Sequence, residues 1–149
     1  MSDTDLIKLY SAQILQLASD IPLLGKLDAP DASVRRRSPL CGSTLTVEIS
    51  MTDGKISQYA QDVKACALGQ ASASVVGANV IGCTPDQILL ARNELLALLK
   101  SGGTELSAPF AGLNVLLPAR DFKNRHASIM LALEATLEAT DQSQKAACA

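Results

Sequence analysis

The chain has 149 residues and a net charge of −2, which predicts one domain over 1–149 and excludes the strong basic field of a nucleic-acid binder. Hydrophobic residues make up 48% of the chain but aromatic ones only 3%, so the core falls to Leu, Ile, Val and Ala. No apolar run approaches the roughly 18 residues of a membrane span, and Met1 to Asp5 is polar and acidic, so the expectation is a cytoplasmic protein away from membranes.

Leu6, Leu9, Tyr10, Gln13, Ile14 and Leu17 recur at three- and four-residue intervals, predicting an amphipathic helix from about Ser2 to Ala18, capped by Ser2 or Asp3. Lys26 to Pro39, with Pro30, Asp28, Asp31 and Ser33, reads as a loop, and Arg35, Arg36 and Arg37 as a short solvated basic run within it. The period then changes. Leu45, Val47 and Ile49 alternate with Thr44, Thr46 and Glu48, the two-residue repeat of a half-buried strand. Thr52-Asp53-Gly54-Lys55 is a turn suited to positive φ, so Thr44–Thr52 and Lys55–Val63 form a hairpin whose apolar face must be covered.

After Cys66 the pattern turns helical. Ala67 to Ile81 is rich in Ala, Ser and Val, which implies close packing, with Gly69 and Gly77 as local weak points. Thr84-Pro85 opens the next helix, which Ser101-Gly102-Gly103 stops. Ala111 to Leu117 is a candidate short helix. Asp121 to Thr140 is a long final one, with Ile129, Met130, Leu133 and Leu137 on one face. Asp141 to Ala149 reads as a frayed, disordered tail. Segregated strands and helices argue an α+β fold with helices on one face of a small antiparallel sheet.

The four cysteines, Cys41, Cys66, Cys83 and Cys148, read as thiols, and none forms a Cys-x-x-Cys pair. Cys41 stands before the first hairpin strand and Cys66 after the second, so the two should meet at the hairpin's open end. Cys66 also begins a helix, where the macrodipole favours a thiolate. Two converging thiols suit a soft metal or sulfur chemistry, although a free cysteine is more often a small buried apolar residue. Cys83 lies one helix away, about 20 Å along the axis, and reads as structural. His126, the one histidine, lies early in the last helix within "FKNRHASIM" and is the remaining candidate for a third ligand.

The segments "SPLCGSTLTVEI", "MTDGKI" and "KACALGQASAS" resemble the U-type iron–sulfur cluster scaffolds, the IscU/NifU-like and SufU-like proteins. "LIKLYSAQILQLASD", "PLLGKLDAPDAS" and "LLPARDFKNRH" fit the same frame, so the resemblance spans about Leu6 to Leu137. It implies a SufE/NifU-like fold of about three antiparallel strands with packed helices. It also implies a [2Fe–2S] cluster or iron (zinc as an alternative metal) and a cysteine desulfurase among other iron–sulfur assembly proteins as partners. Carried over residue by residue, the resemblance makes Cys41 and Cys66 ligands. The family's aspartate after Cys-Gly is Ser43 here, its third cysteine, after His126, is Ala127, and the Leu-Pro-Pro-Val-Lys motif of some members is altered at Leu117-Pro118-Ala119-Arg120.

Two functions follow. In the first, a non-enzymatic scaffold, monomer or homodimer, holds iron or a cluster through Cys41, Cys66 and His126. In the second, a protein of the same fold keeps its partner-binding role with a vestigial metal site. An enzyme using Cys66 as nucleophile and His126 as base lacks a recognisable orienting group or oxyanion loop.

Overall fold

The computed structural model describes residues 10–39, 42–102 and 105–148. Strands β1 (Ala32–Arg37), β2 (Thr44–Thr52) and β3 (Lys55–Lys64) form an antiparallel sheet in the order β1-β2-β3. Helices α1 (Ala12–Ser19), α2 (Ala67–Asn79), α3 (Pro85–Ser101) and α4 (His126–Cys148) complete an α+β fold, with 3-10 segments at Ala111–Asp121 and Lys123–Arg125.

The hairpin follows the pattern of its residues. Asp53 and Gly54 both take positive φ, 55° and 76°, the conformation whose twist matches two antiparallel strands. Leu45, Val47 and Ile49 are buried on one face, opposite Val63, Gln61 and Tyr59. The stretch expected as a loop contains β1, whose Ala32 and Val34 are buried beside Ile49 and Val47. Three arginines hid that strand. Its alternation becomes visible only when Arg36 is counted on the covered face, where its guanidinium pairs with Glu134 (3.1 Å) and Glu138 (3.0 Å) of α4.

The helices differ at their ends from the sequence pattern. The first described helix begins at Ala12, with Ser11 as its N-cap accepting a hydrogen bond from the Ile14 amide, so the helix expected from Ser2 to Ala18 does not run unbroken through residues 10 and 11; the expected cap at Ser2 or Asp3 lies outside the described residues. Thr84 and Gln87 form the full capping box of α3, and Gly102 closes it at φ 70°. The segment around Pro118 is 3-10 up to Asp121, and the final α-helix begins at His126. It continues past Thr140 to Cys148, through residues expected to fray, with Ser143 buried and Lys145 paired to Asp141 at 3.0 Å.

Helix α4 packs on β1 and β2, and α2 on β3, α1 and α4. The small residues of α2 make this layering possible. A Cβ at Gly77 would stand 2.6 Å from Gln61 Nε2 and 3.0 Å from the Pro22 ring; one at Gly69 would stand 2.5 Å from Ser128 Oγ. Ser72 donates to the Ile129 carbonyl (2.7 Å) and Ser74 to that of Asp20 (3.3 Å), so the Ala71–Ser74 stretch stitches α2 to its neighbours.

Gln61 is fully buried on the covered face of β3. Its Nε2 donates to the carbonyls of Pro22 (3.0 Å) and Ala73 (3.1 Å), tying a loop and a helix to the sheet, while Oε1 has no partner among the described residues. The near-isosteric Gln61→Leu removes both hydrogen bonds and is expected to lower stability by about 2 kcal/mol, read as a shift of the urea midpoint at constant m.

Tyr59, buried beside α4, donates to Thr136 Oγ1 (3.0 Å), which in turn donates to the Ala132 carbonyl (2.7 Å). Burial holds the Tyr59 phenol protonated far above its ordinary range, against a smaller opposing effect of the Thr136 bond. The folded state therefore binds this proton more tightly than the unfolded chain. The stability it contributes is complete below about pH 10 and is lost as pH rises beyond it. Tyr59→Phe should cost about 1 kcal/mol at neutral pH and flatten the alkaline limb of the stability–pH curve.

Candidate functional site

The site forms at the end of the sheet where β1 passes to β2 and β3 passes to α2. The β1–β2 connection is tight: the Ser38 amide donates to the Ser43 carbonyl (2.8 Å), the Gly42 amide donates to the Ser38 carbonyl (3.0 Å), and Gly42 takes φ 71°. Cys41 belongs to this connection, between β1 and β2 rather than ahead of the first strand, and itself lies outside the described residues.

Cys66 follows β3 and occupies the N-cap position of α2 at φ −66°, ψ 169°, half-buried, without a side-chain capping bond. The Thr44–Lys64 pairing holds the two chain segments together at this end. Cys66 Sγ lies 3.5 Å from Ser128 Oγ of α4, and Ser128 Oγ donates to Ser43 Oγ at 3.0 Å. A continuous thiol–hydroxyl–hydroxyl chain thus joins the segment after Cys41, the start of α2 and the first turn of α4. Ser43 and Ser128 are both buried, and the bond between their hydroxyls is one of those that satisfy them there.

His126 is half-buried at the first residue of α4. Its Nε2 lies 2.9 Å from the Ala119 carbonyl and 3.0 Å from that of Arg120. Carbonyl oxygens only accept, so Nε2 carries the hydrogen and Nδ1 is the ring's basic nitrogen in the neutral state. His126 and Ser128 are two helix positions apart and point to opposite sides of α4, so only the serine turns directly toward Cys66. No three His, Cys, Asp or Glu side chains gather into a metal-binding group among the described residues.

Cys83 is buried, its thiol donating to the Asn79 carbonyl at 3.3 Å, and burial pushes its pKa up. Cys83, read from the sequence as structural, is thus part of the buried core. Ser128 was not legible as a site residue. A serine within a helical apolar pattern carries no signal of its own, and only the docking of α4 on α2 brings it to Cys66.

No helix of the described residues is long and apolar enough to cross a membrane. No protein-family model matches the chain, and no curated protein matches it. Solved structures do. A crystal structure of a proposed iron–sulfur cluster assembly scaffold protein for the SUF system of Fervidobacterium islandicum superposes with a TM-score of 0.78 at 19% identity, covering 90% of this chain and 98% of that one. At that identity the likeness concerns the fold. A hypothetical protein superposes at 0.76 with 25% identity, over 91% and 98% of the two chains. The nitrogen-fixing NifU-like protein (N-terminal) of Brucella abortus superposes at 0.92 with 40% identity, over 95% of this chain and 98% of that one. Identity at that level across nearly the whole length of both chains agrees with the U-type scaffold frame carried by the Cys41 and Cys66 segments, and the chain belongs to the NifU-like N-terminal family.

Proposed function

We propose that this protein is a non-enzymatic, cytoplasmic scaffold of iron–sulfur cluster assembly that holds iron or a [2Fe–2S] unit as cargo through Cys41 and Cys66. The observation that carries this reading is the meeting of the Ser43 segment, two residues past Cys41, with Cys66 through Ser128. Cys66 stands half-buried at the N-cap of α2, its sulfur used in no capping bond, and thiolates are the ligands a soft metal prefers. The sequence supplies His126 as the third donor, through Nδ1, since two carbonyls hold Nε2; standing across α4 from Ser128, it joins this site only with a rotation of the first turn of α4. Two thiolates and one imidazole leave a coordination position open, which a second copy in a homodimer or a partner's ligand fills; zinc suits the same donors. A cysteine desulfurase supplies the sulfur.

The buried Ser43–Ser128 pair favours a second reading, in which the fold keeps its partner-binding role without cargo. Neutral hydroxyls stand there in place of the family's carboxylate, and hydroxyls are poor ligands for soft metals.

Anaerobic reconstitution with ferrous iron and sulfide separates the two. Visible charge-transfer absorption is expected in the native sequence and should disappear in Cys41→Ala and Cys66→Ala, with His126→Ala reducing yield; a native protein that remains colourless overturns the scaffold reading. A desulfurase pull-down gives the complementary result. Retention by the colourless native protein and equally by the Cys41→Ala/Cys66→Ala variant supports the second reading, and no retention by either removes it.

A further inference from the structure

The two edges of the sheet are unlike. At β3 the backbone is covered at two points: the Gln61 amide donates to the Leu23 carbonyl (2.9 Å) and the Gly25 amide to the Gln61 carbonyl (3.0 Å), while the Ile56 amide donates to the Cys83 carbonyl (2.9 Å). No such bonds cover β1 among the described residues.

The register tells which groups of β1 face outward. The Ser38 amide bonds the Ser43 carbonyl, so alternation along an antiparallel ladder makes Arg36–Leu45, Val34–Val47 and Ala32–Ile49 the hydrogen-bonded pairs. Ser33, Arg35 and Arg37 then direct their amides and carbonyls to the open edge. The same residues are exposed, with side chains on the face of the sheet away from the helices. Arg36 is engaged by Glu134 and Glu138, but neither Arg35 nor Arg37 has a side-chain partner among the described residues.

We propose that β1 is a docking edge for an extended acidic segment of a partner protein, which adds as a fourth strand and sets its carboxylates against Arg35 and Arg37. Strand addition uses the free ladder for affinity and alternate side chains for selection. The charges decide against a second copy of this chain: antiparallel pairing of two β1 strands would oppose arginine to arginine, which is destabilising. The edge ends at Arg37, beside the connection that carries Cys41, so a segment seated there is led to the thiol end of the sheet. The inference stands whether or not a cluster binds.

The probe is a fluorescent eight-residue peptide alternating glutamate with valine, followed by anisotropy at low ionic strength and by residue-resolved amide exchange. Binding is expected to weaken about tenfold in Arg35→Glu/Arg37→Glu and to weaken with added salt, with the variant's fold checked by circular dichroism. The bound peptide should slow exchange at the Ser33, Arg35 and Arg37 amides. Absence of binding, equal binding of a lysine–valine peptide, an unchanged affinity in the variant, or binding that leaves those three amides unprotected overturns the proposal.

Discussion

The structure depends on how closely α2 approaches its surroundings. It has the sheet on one side, α4 and α1 on others, and no space for a side chain at Gly69 or Gly77. Ala71 and Ala73 are fully buried, and Ser72 is buried with its hydroxyl turned onto the Ile129 carbonyl. Larger residues would widen every gap at once, because interiors pack at nearly crystalline density and relax only in part. Gln61 depends on the same closeness: its amide reaches both Pro22 and Ala73 because Gly77 leaves the room. One orphaned oxygen is the cost of placing two donors where two carbonyls need them.

That packing also builds the site. Cys66 begins α2, and Ser128 sits in the first turn of α4 against Gly69. The contact that forbids a Cβ at Gly69 is therefore part of the one that brings Ser128 Oγ to the thiol. In a chain with Ser43 in place of the family's carboxylate, the two serines bond one another and leave no charge buried beside Cys66. A buried carboxylate would need a cation or several donors there; a hydroxyl pair needs neither.

The arginine run shows how a pleat sorts like residues. Arg36 turns to the helix side, where it bridges Glu134 and Glu138 at successive turns of α4, and Arg92 of α3 approaches Glu134 at 4.0 Å. Half-exposed pairs of this kind contribute modestly one by one but fix the register of β1 against α4. Arg35 and Arg37 turn to the other face, where neither has a side-chain partner among the described residues. Read along the chain, three arginines look like a solvated loop; the two-residue period gives them opposite roles once β1 is paired.

The sequence by itself determined the hairpin, because Asp53-Gly54 and the Leu45-Val47-Ile49 alternation are local signals, and the caps of α3, because Thr84, Gln87 and Gly102 act within one turn. It determined the family through the Cys41 and Cys66 segments and placed the two thiol-bearing segments at one end of the hairpin. Only the tertiary structure decided that 32–37 is a strand, since Arg36 is tolerated on the covered face by Glu134 and Glu138, which lie about a hundred residues on. It likewise decided that Ser128 shares a site with Cys66 and Ser43, and that His126 turns Nε2 to the Ala119 and Arg120 carbonyls. Those outcomes arise from contacts between distant segments, and the energy of such contacts resides in packing and in partner geometry that no local pattern encodes.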